Sequence, residues 1–522
     1  MHRLRWPAVI AAGTVAVFCC ALVQARQMGV QSDGAAMVLQ SWAMSHGNPL
    51  LHGWYVSDVS FYTTELPEYI VIEAVRGIRP DVVTIAAALT YTLLVLLAAA
   101  VAVTGGSSRR AGIAGAVITV AVMLGPVPAA TNVLLNDPDH VGSAVPVLLA
   151  LLIVDRLMTR PATPGARLAL ATAMTAVLGV AAAGDPLILL IGIAPLVAVC
   201  GGQVLWHRVL RRQPLAGVSA EFSLTVAGLL AAAIGVAAPR VIRAAGGYTI
   251  APLTKHGAPP GMLPRNAAGL VENFLDLFSA WPGQLRANAW LAVTGVHLVF
   301  ACLVAVALIA VLARFLRGAD LVSRLLTAGI VANMTAYALL FTVTTSAVRE
   351  IGPVFGLGAA LAGRVLGEPA LRLRLGRLVA VAAAAAVAAA VPTLLTVKPG
   401  TPMAADLAGF LDSHHLRAGL GGYWQSNNIT VETGGRVTVT PVREQAGSGL
   451  VPYKWEFDSS RLTSGQNLNF VITTRPGGFG SNTVTEGEAV ALFGKPDRVY
   501  REVPGYTILV WRKNLQPTLP RS

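Results

Sequence analysis

The chain has 522 residues, of which 54% are hydrophobic and only 12% charged, with a mean hydropathy of +0.63. Soluble domains carry about twice that share of charge, so the composition excludes an ordinary globular enzyme and indicates a polytopic membrane protein. The net charge of +13 is arginine gathered in short loops, where it sets orientation, so membrane lipids are expected as partners and nucleic acid is not.

Uncharged runs long enough to cross or nearly cross a bilayer lie at 6–25, 82–104, 111–136, 141–154, 168–184, 186–206, 222–239, 287–313, 325–348, 351–363 and 378–397. A span needs about 20 residues. The expected fold is therefore an α-helical polytopic membrane protein with about eleven transmembrane helices. Leu22–Ala25 could pass for a signal-peptidase site, but cleavage is not expected. Cys19, Cys20, Cys200 and Cys302 all sit in apolar runs. That leaves no disulfide framework and no Cys/His metal site.

Arginines alternate with the runs. Arg3, Arg5, Arg109, Arg110, Arg156, Arg160, Arg167, Arg208, Arg211, Arg212, Arg314, Arg317, Arg324, Arg364, Arg372, Arg374 and Arg377 fall on one side. The positive-inside rule puts that side and the N-terminus in the cytoplasm, and the C-terminus outside a cytoplasmic (inner) membrane. Most acids fall on the other side, among them Asp33, Asp58, Glu65, Glu68, Glu73, Asp137, Asp139, Asp185 and Glu350. Orientation does not require this bias; chemistry at the outer face would explain it.

Residues 1–397 read as the bundle, with outer loops at 26–80 and 239–288. In the second loop AAGLVENFLDLFSAW has apolar residues at helical spacing, for a helix lying on lipid or on the bundle. Residues 398–522 read as an extracytoplasmic α+β domain. A helix over 399–419 precedes strand-like runs NITVET, GRVTVTPV, LNFVITT, AVALFG and YTILVWRK.

The first loop carries the densest chemistry. Asp33 is followed by Met44, Gly47 and Asn48, then by Thr64-Glu65-Leu66-Pro67. As a local feature, Ser32-Asp33 also suits a helix N-cap. Asn136-Asp137-Pro138-Asp139-His140 stands before the fourth run. Its oxygen ligands suit Mg²⁺ or Mn²⁺, with His140 as a further ligand; a plain Asp-Pro turn is the alternative. Arg349-Glu350 follows the ninth run. The arginine fork suits a phosphate, and an Arg–Glu pair closing a helix end is the alternative. Tyr423-Trp424 sits beside Gln425, Asn427 and Asn428, which suits either a sugar platform or a small core.

The Asp33, Met44, Gly47, Asn48 and Pro67 pattern resembles the GT-C superfamily of membrane glycosyltransferases. The resemblance is to the branch with aminoarabinose transferases and protein O-mannosyltransferases. Gly34 stands where a Glu often follows, and Thr64–Pro67 replaces a Lys-Pro-Pro segment. The resemblance implies a GT-C-like bundle with Asp33 as the base that activates the acceptor. It also implies an acid of the Asp137–Asp139 segment at the active centre, in some members with a metal. The Tyr-Trp segment resembles one that follows the bundle in some bacterial relatives. The partners implied are a polyprenyl-phosphate sugar donor and a cell-envelope glycan, lipid or protein acceptor. Candidate catalytic residues are Asp33 and Asp137, with substrate contacts from Asp58, Glu65, Arg349, Tyr423 and Trp424. Candidate metal ligands are Asp137, Asp139 and His140.

No Walker loop, Rossmann fingerprint, Gly-x-Ser-x-Gly or zinc-type His pair is present. A lipid-phosphate donor fits that absence. Two other readings stay open: a transporter or flippase of a lipid-linked substrate, and a non-catalytic anchor for an exported binding domain.

Overall fold

The structure is a computed structural model. It describes residues 2–126, 128–136, 140–160, 163–212, 214–251, 258–281, 288–316, 318–340, 345–373, 377, 381, 384–385, 387–388, 391, 400, 404–445, 449–462, 465–476, 478 and 483–520. The chain divides into two compact units. One comprises Met1–Ala25, Ala87–Pro239 and Thr254–Val397; the other comprises Arg26–Ala86, Arg240–Leu253 and Lys398–Ser522.

The first unit is helical. Among the described residues, seven helices are long and apolar enough to cross a membrane. They are Pro7–Ala25, Asp81–Thr104, Pro164–Gly184, Leu189–Val209, Ser219–Ala244, Val293–Arg314 and Val348–Arg372. Each matches one of the expected runs. Three other runs are also helical. The run at 111–136 becomes two helices, Arg109–Met123 and Pro128–Leu134, parted at Gly125-Pro126, where Gly125 has φ +65°. The runs at 141–154 and 325–348 become Ala144–Thr159 and Leu321–Leu340. Most of the last run, 378–397, lies outside the described residues.

Small residues let these helices approach. A Cβ on Gly115 would come within 2.6 Å of the Gly363 carbonyl, and one on Gly367 within 2.6 Å of the Ala111 carbonyl. Two backbones in such contact gain dispersion energy that side chains would prevent. Thr119 donates across the same seam to the Ala359 carbonyl at 3.2 Å. The helix Leu263–Leu277, expected in the second loop, packs Leu270, Phe274 and Leu277 on the bundle core. Asn266 and Asn273 also lie on its buried side, donating to Ala338 O at 2.9 Å and to the Tyr337 hydroxyl at 2.5 Å. Packing on the bundle is thus its observed role.

One ionic cluster ties four helical segments of this unit. Arg364 donates to Asp155 at 2.8 Å and to Asp320 at 2.9 Å. It also donates to the Val101 carbonyl at 3.0 Å and the Thr104 hydroxyl at 2.7 Å. Both Arg364 and Asp155 are buried, so the pair can stand only because each neutralises the other.

The second unit is α+β and draws on three separate segments. A six-stranded mixed sheet runs in the order Gly449–Pro452, Thr438–Gln445, Ala418–Gly421, Phe470–Thr474, Tyr506–Val510, Arg498–Tyr500. A smaller sheet places Trp54–Val56 between Thr249–Ile250, parallel, and Phe457–Asp458, antiparallel. Val431 joins Val38, Leu66, Tyr69 and Tyr248 in one apolar core. The compact division has a boundary at 397/398 and also groups the outer-loop segments Arg26–Ala86 and Arg240–Leu253 with the tail. Strands and core residues of the first loop pair with residues of the tail, which no local pattern announces.

Two strand-like runs are helices. NITVET lies within Tyr423–Glu432. There Ser426 and Thr430 bond back to the Gly422 and Ser426 carbonyls at 2.8 and 3.1 Å. Burial on nearly every side overrides the β-branched preference of Ile429, Thr430 and Val431. AVALFG lies in Glu486–Phe493, started by a capping box between Thr485 and Glu488. The runs GRVTVTPV, LNFVITT and YTILVWRK contain strands as expected, and the leading helix spans Ala405–Ser413.

Candidate active site

Asp33 lies in the first turn of the helix Ser32–Ser45, whose N-cap is Gln31 in extended conformation with no side-chain cap. The cap role considered for Ser32-Asp33 is therefore not the observed one. The helix N-terminus carries partial positive charge, which favours a carboxylate there. The Tyr423 hydroxyl donates to Asp33 Oδ1, and Ser32 Oγ donates to the Tyr423 carbonyl at 2.7 Å. Tyr423 is buried, while Asp33 keeps partial exposure. Burial and the Asp33 charge push the Tyr423 phenol well above its ordinary range, with Glu456 adding to the shift. Tyr423 therefore acts as a donor to the carboxylate.

Aromatic rings frame this contact. Trp424 and Tyr453 meet the Tyr423 ring edge-on at centroid distances of 5.3 and 5.5 Å. The Arg443 guanidinium lies 5.2 Å from the Tyr453 centroid, a cation–π distance.

Gln40 lies two turns beyond Asp33 on the same helix and donates to Glu456 Oε2. The Ser57 backbone N–H donates to Glu456 Oε1 at 3.1 Å. Asn427 Nδ2 donates to the Glu456 carbonyl at 3.1 Å. Burial, and then the Asp33 charge, push the Glu456 carboxyl up to about 8.

The other pattern residues shape the chain after this helix. Gly47 has φ +98°, a conformation that glycine alone adopts at no cost. Asn48 accepts from the His52 N–H at 2.7 Å and donates to the His52 carbonyl at 3.0 Å. Met44 packs on the unit's core. Glu65 is buried at the start of Leu66–Arg76, and Asp58 is partly buried after the Trp54–Val56 strand.

The remaining candidates belong to the helical unit. Asp137 and Asp139 lie outside the described residues. His140 is buried; its Nδ1 meets Asp185 at 2.9 Å and its Nε2 lies 3.4 Å from Glu350. Asp185 also accepts from the Ser143 hydroxyl and, at 2.8 Å, from the Leu187 N–H. Burial opposes charge on His140, yet Asp185 and Glu350 hold its pKa well above the ordinary value. Both ring nitrogens face carboxylates, so neither offers a lone pair to a cation, and His140 does not fit the expected ligand role. Among the described residues no group of three or more His, Cys, Asp or Glu could hold a metal ion. Glu350, beside Arg349 in the chain, faces His140. Arg349 itself is partly buried in the turn Thr345–Ile351.

No protein-family model matches the chain, and no curated protein matches it. Solved structures do. A crystal structure of ArnT from Cupriavidus metallidurans, bound to undecaprenyl phosphate, aligns over 99% of both chains with a TM-score of 0.55 and 12% identity. The likeness is one of fold. The Archaeoglobus fulgidus oligosaccharyltransferase, in complex with zinc and sulfate, covers 88% of this chain and 67% of its own at 12% identity. Its TM-score of 0.48 is too low to rest an argument on.

Within this chain the structure joins Asp33, Tyr423 and Trp424, which lie 390 residues apart for the bonded pair. Gln40 and Glu456 escaped the sequence reading. For Gln40 a signal existed, since seven residues from Asp33 is two helical turns and one shared face. For Glu456, a single acid in Tyr-Lys-Trp-Glu-Phe, no local signal exists.

Proposed function

We propose that this chain is a membrane glycosyltransferase that moves a sugar from a polyprenyl-phosphate donor to an acceptor hydroxyl at the outer face of the cytoplasmic membrane. The observation that carries the reading is the Asp33 carboxylate, partly exposed at a helix N-terminus and held by the Tyr423 hydroxyl. A base must be oriented, and the Tyr423 hydroxyl orients this carboxylate. The donor class is supported by the undecaprenyl phosphate bound to the fold neighbour ArnT.

In the proposed step Asp33 takes the acceptor O–H proton while that oxygen bonds to the anomeric carbon. The bond from the anomeric carbon to the phosphate oxygen breaks, and its electron pair leaves with the polyprenyl phosphate. Arg349 is proposed to bind that phosphate. Trp424, Asp58 and Glu65 are proposed to contact sugar or acceptor, and the acceptor is a cell-envelope glycan, lipid or protein. No step passes through Mg²⁺ or Mn²⁺. The arginine asymmetry supports a cytoplasmic N-terminus and an exterior for residues 398–522.

The test compares wild type and Asp33→Asn in membranes supplied with polyprenyl-phosphate sugars, alongside mass spectrometry of envelope glycans with and without the gene. Sugar transfer that Asp33→Asn abolishes supports the reading. Wild-type membranes that transfer no sugar, with an unchanged glycan profile, sink it.

A further inference from the structure

Glu456 is 4% exposed and, among the described residues, forms no ion pair. Its carboxyl oxygens meet an amide N–H of Gln40 and the backbone N–H and side chain of Ser57, all neutral groups. A buried carboxylate with no cation is costly, so such a group takes up a proton instead. The charged and titratable groups facing it come from each packed segment. Asp33 stands on the Ser32–Ser45 helix and Tyr423 on the Tyr423–Glu432 helix; beyond them Tyr453 faces Asp33 and Arg443. Asp33 is negative, and the two phenols are neutral, both held above their ordinary range.

The backbone at Glu456 has φ +46°, a left-handed conformation uncommon for a residue with a Cβ. Such an outlier persists only where the surroundings hold it. Here Asn427 holds the Glu456 carbonyl, while Gln40 and Ser57 hold its carboxyl.

We propose that Glu456 is a positioning residue for Asp33: a neutral acid that fixes the Asp33 helix through Gln40 and leaves Asp33 the single negative charge of the group. The assignment rests on the glycosyltransferase reading only for what Asp33 does to substrate. The electrostatic link between the two acids stands apart from it. Burial and the Asp33 charge push Glu456 up to about 8, in keeping with a proton held at neutral pH. Ionisation above that pH places a second negative charge beside the base and costs stability.

The sign follows from linkage. The folded pKa lies above the ordinary 4.5, so the folded state binds more protons between those values. The stability that the proton confers is complete below about 4.5 and is lost as pH rises to about 8. Glu456→Gln has no proton to lose. Its amide can donate to Gln40 Oε1, a buried atom with no partner, once the Gln40 amide turns over.

The experiment uses the purified full chain in detergent, with no donor or acceptor, as wild type, Glu456→Gln, Asp33→Asn and the double variant. Melting temperature is read from pH 5 to pH 9. The gap by which Glu456→Gln exceeds wild type should widen with pH and level off near pH 8, on the order of 5 °C. In the Asp33→Asn background the gap should be smaller and level off at lower pH, because the neighbouring charge is gone. A gap independent of pH overturns the neutral-acid assignment. A gap unchanged by Asp33→Asn overturns the link to Asp33. In the transfer assay the wild-type rate should fall above pH 8 and the Glu456→Gln rate should hold its pH 7 value. If wild type transfers no sugar at all, the glycosyltransferase reading fails and the melting curves still decide the role of Glu456.

Discussion

The two units bury acids in opposite ways. In the helical unit Asp155 and Asp320 share Arg364, and Asp185 and Glu350 share His140. Each of these four acids has a cation. In the α+β unit Glu456 has amides for neighbours, and Asp33 faces a tyrosine. The first arrangement neutralises charge and ties helices together. On the proposed reading the second keeps charge available, with Glu456 holding its proton and Asp33 accepting one. The same residue type is architectural in one unit and chemical in the other, and the partner decides which.

The largest expected effect tests the chemical side. Asp33→Asn keeps the size and most of the hydrogen bonding of the side chain. Transfer should fall on the order of 100-fold or more, since a positioned base contributes about 10²–10⁴. Membrane insertion should be unchanged. Full turnover in this variant, with Asp58→Asn or Asp137→Asn inactive, moves the base to that other acid.

Next comes the architectural side. Arg364→Met leaves Asp155 buried without its cation, at a cost of about 3–5 kcal/mol. Yield of monodisperse protein from detergent extracts should drop sharply. Replacing Arg364, Asp155 and Asp320 together with apolar residues should restore much of it. If the single variant extracts and melts like wild type, the cluster is not structural and the contrast between the units fails.

Tyr423→Phe sharpens the contrast from within the candidate site. It removes one hydrogen bond to a charged group, worth about 1.5–3 kcal/mol. Transfer should fall roughly 10-fold or more, between wild type and Asp33→Asn. A rate equal to that of wild type would show that the Tyr423 hydroxyl does not orient Asp33.

The smallest effect is a control in the same unit. Thr485→Ala breaks the capping box of Glu486–Phe493 and should cost about 1 kcal/mol. Melting temperature should drop by a few degrees, with transfer unaltered. A parallel loss of transfer would mean that Asp33→Asn and Tyr423→Phe act through general destabilisation of the unit.

Much was legible in the sequence where the signal is local. A membrane helix satisfies its own backbone, so an uncharged run of the right length declares itself, and the seven long apolar helices fall on expected runs. Asp33 was legible from its place after the first run and its spacing to Gly47 and Asn48. The Thr485-x-x-Glu488 capping signal was also in the sequence and outweighs the apparent strand in AVALFG. NITVET had no such signal, because its helix depends on burial against other segments.

Tertiary structure alone decided what joins what. The pairing of Trp54–Val56 with Phe457–Asp458 and the Tyr423–Asp33 bond each link segments about 390 residues or more apart. So does the Gln40–Glu456 bond, with a separation of 416. Hydrogen bonds and apolar contacts act over a few ångströms and carry no mark of sequence distance. Composition and period therefore determined which segments are long apolar helices. Which acid found a cation, and which found only an amide and a second acid, was decided by the packing that brought those segments together.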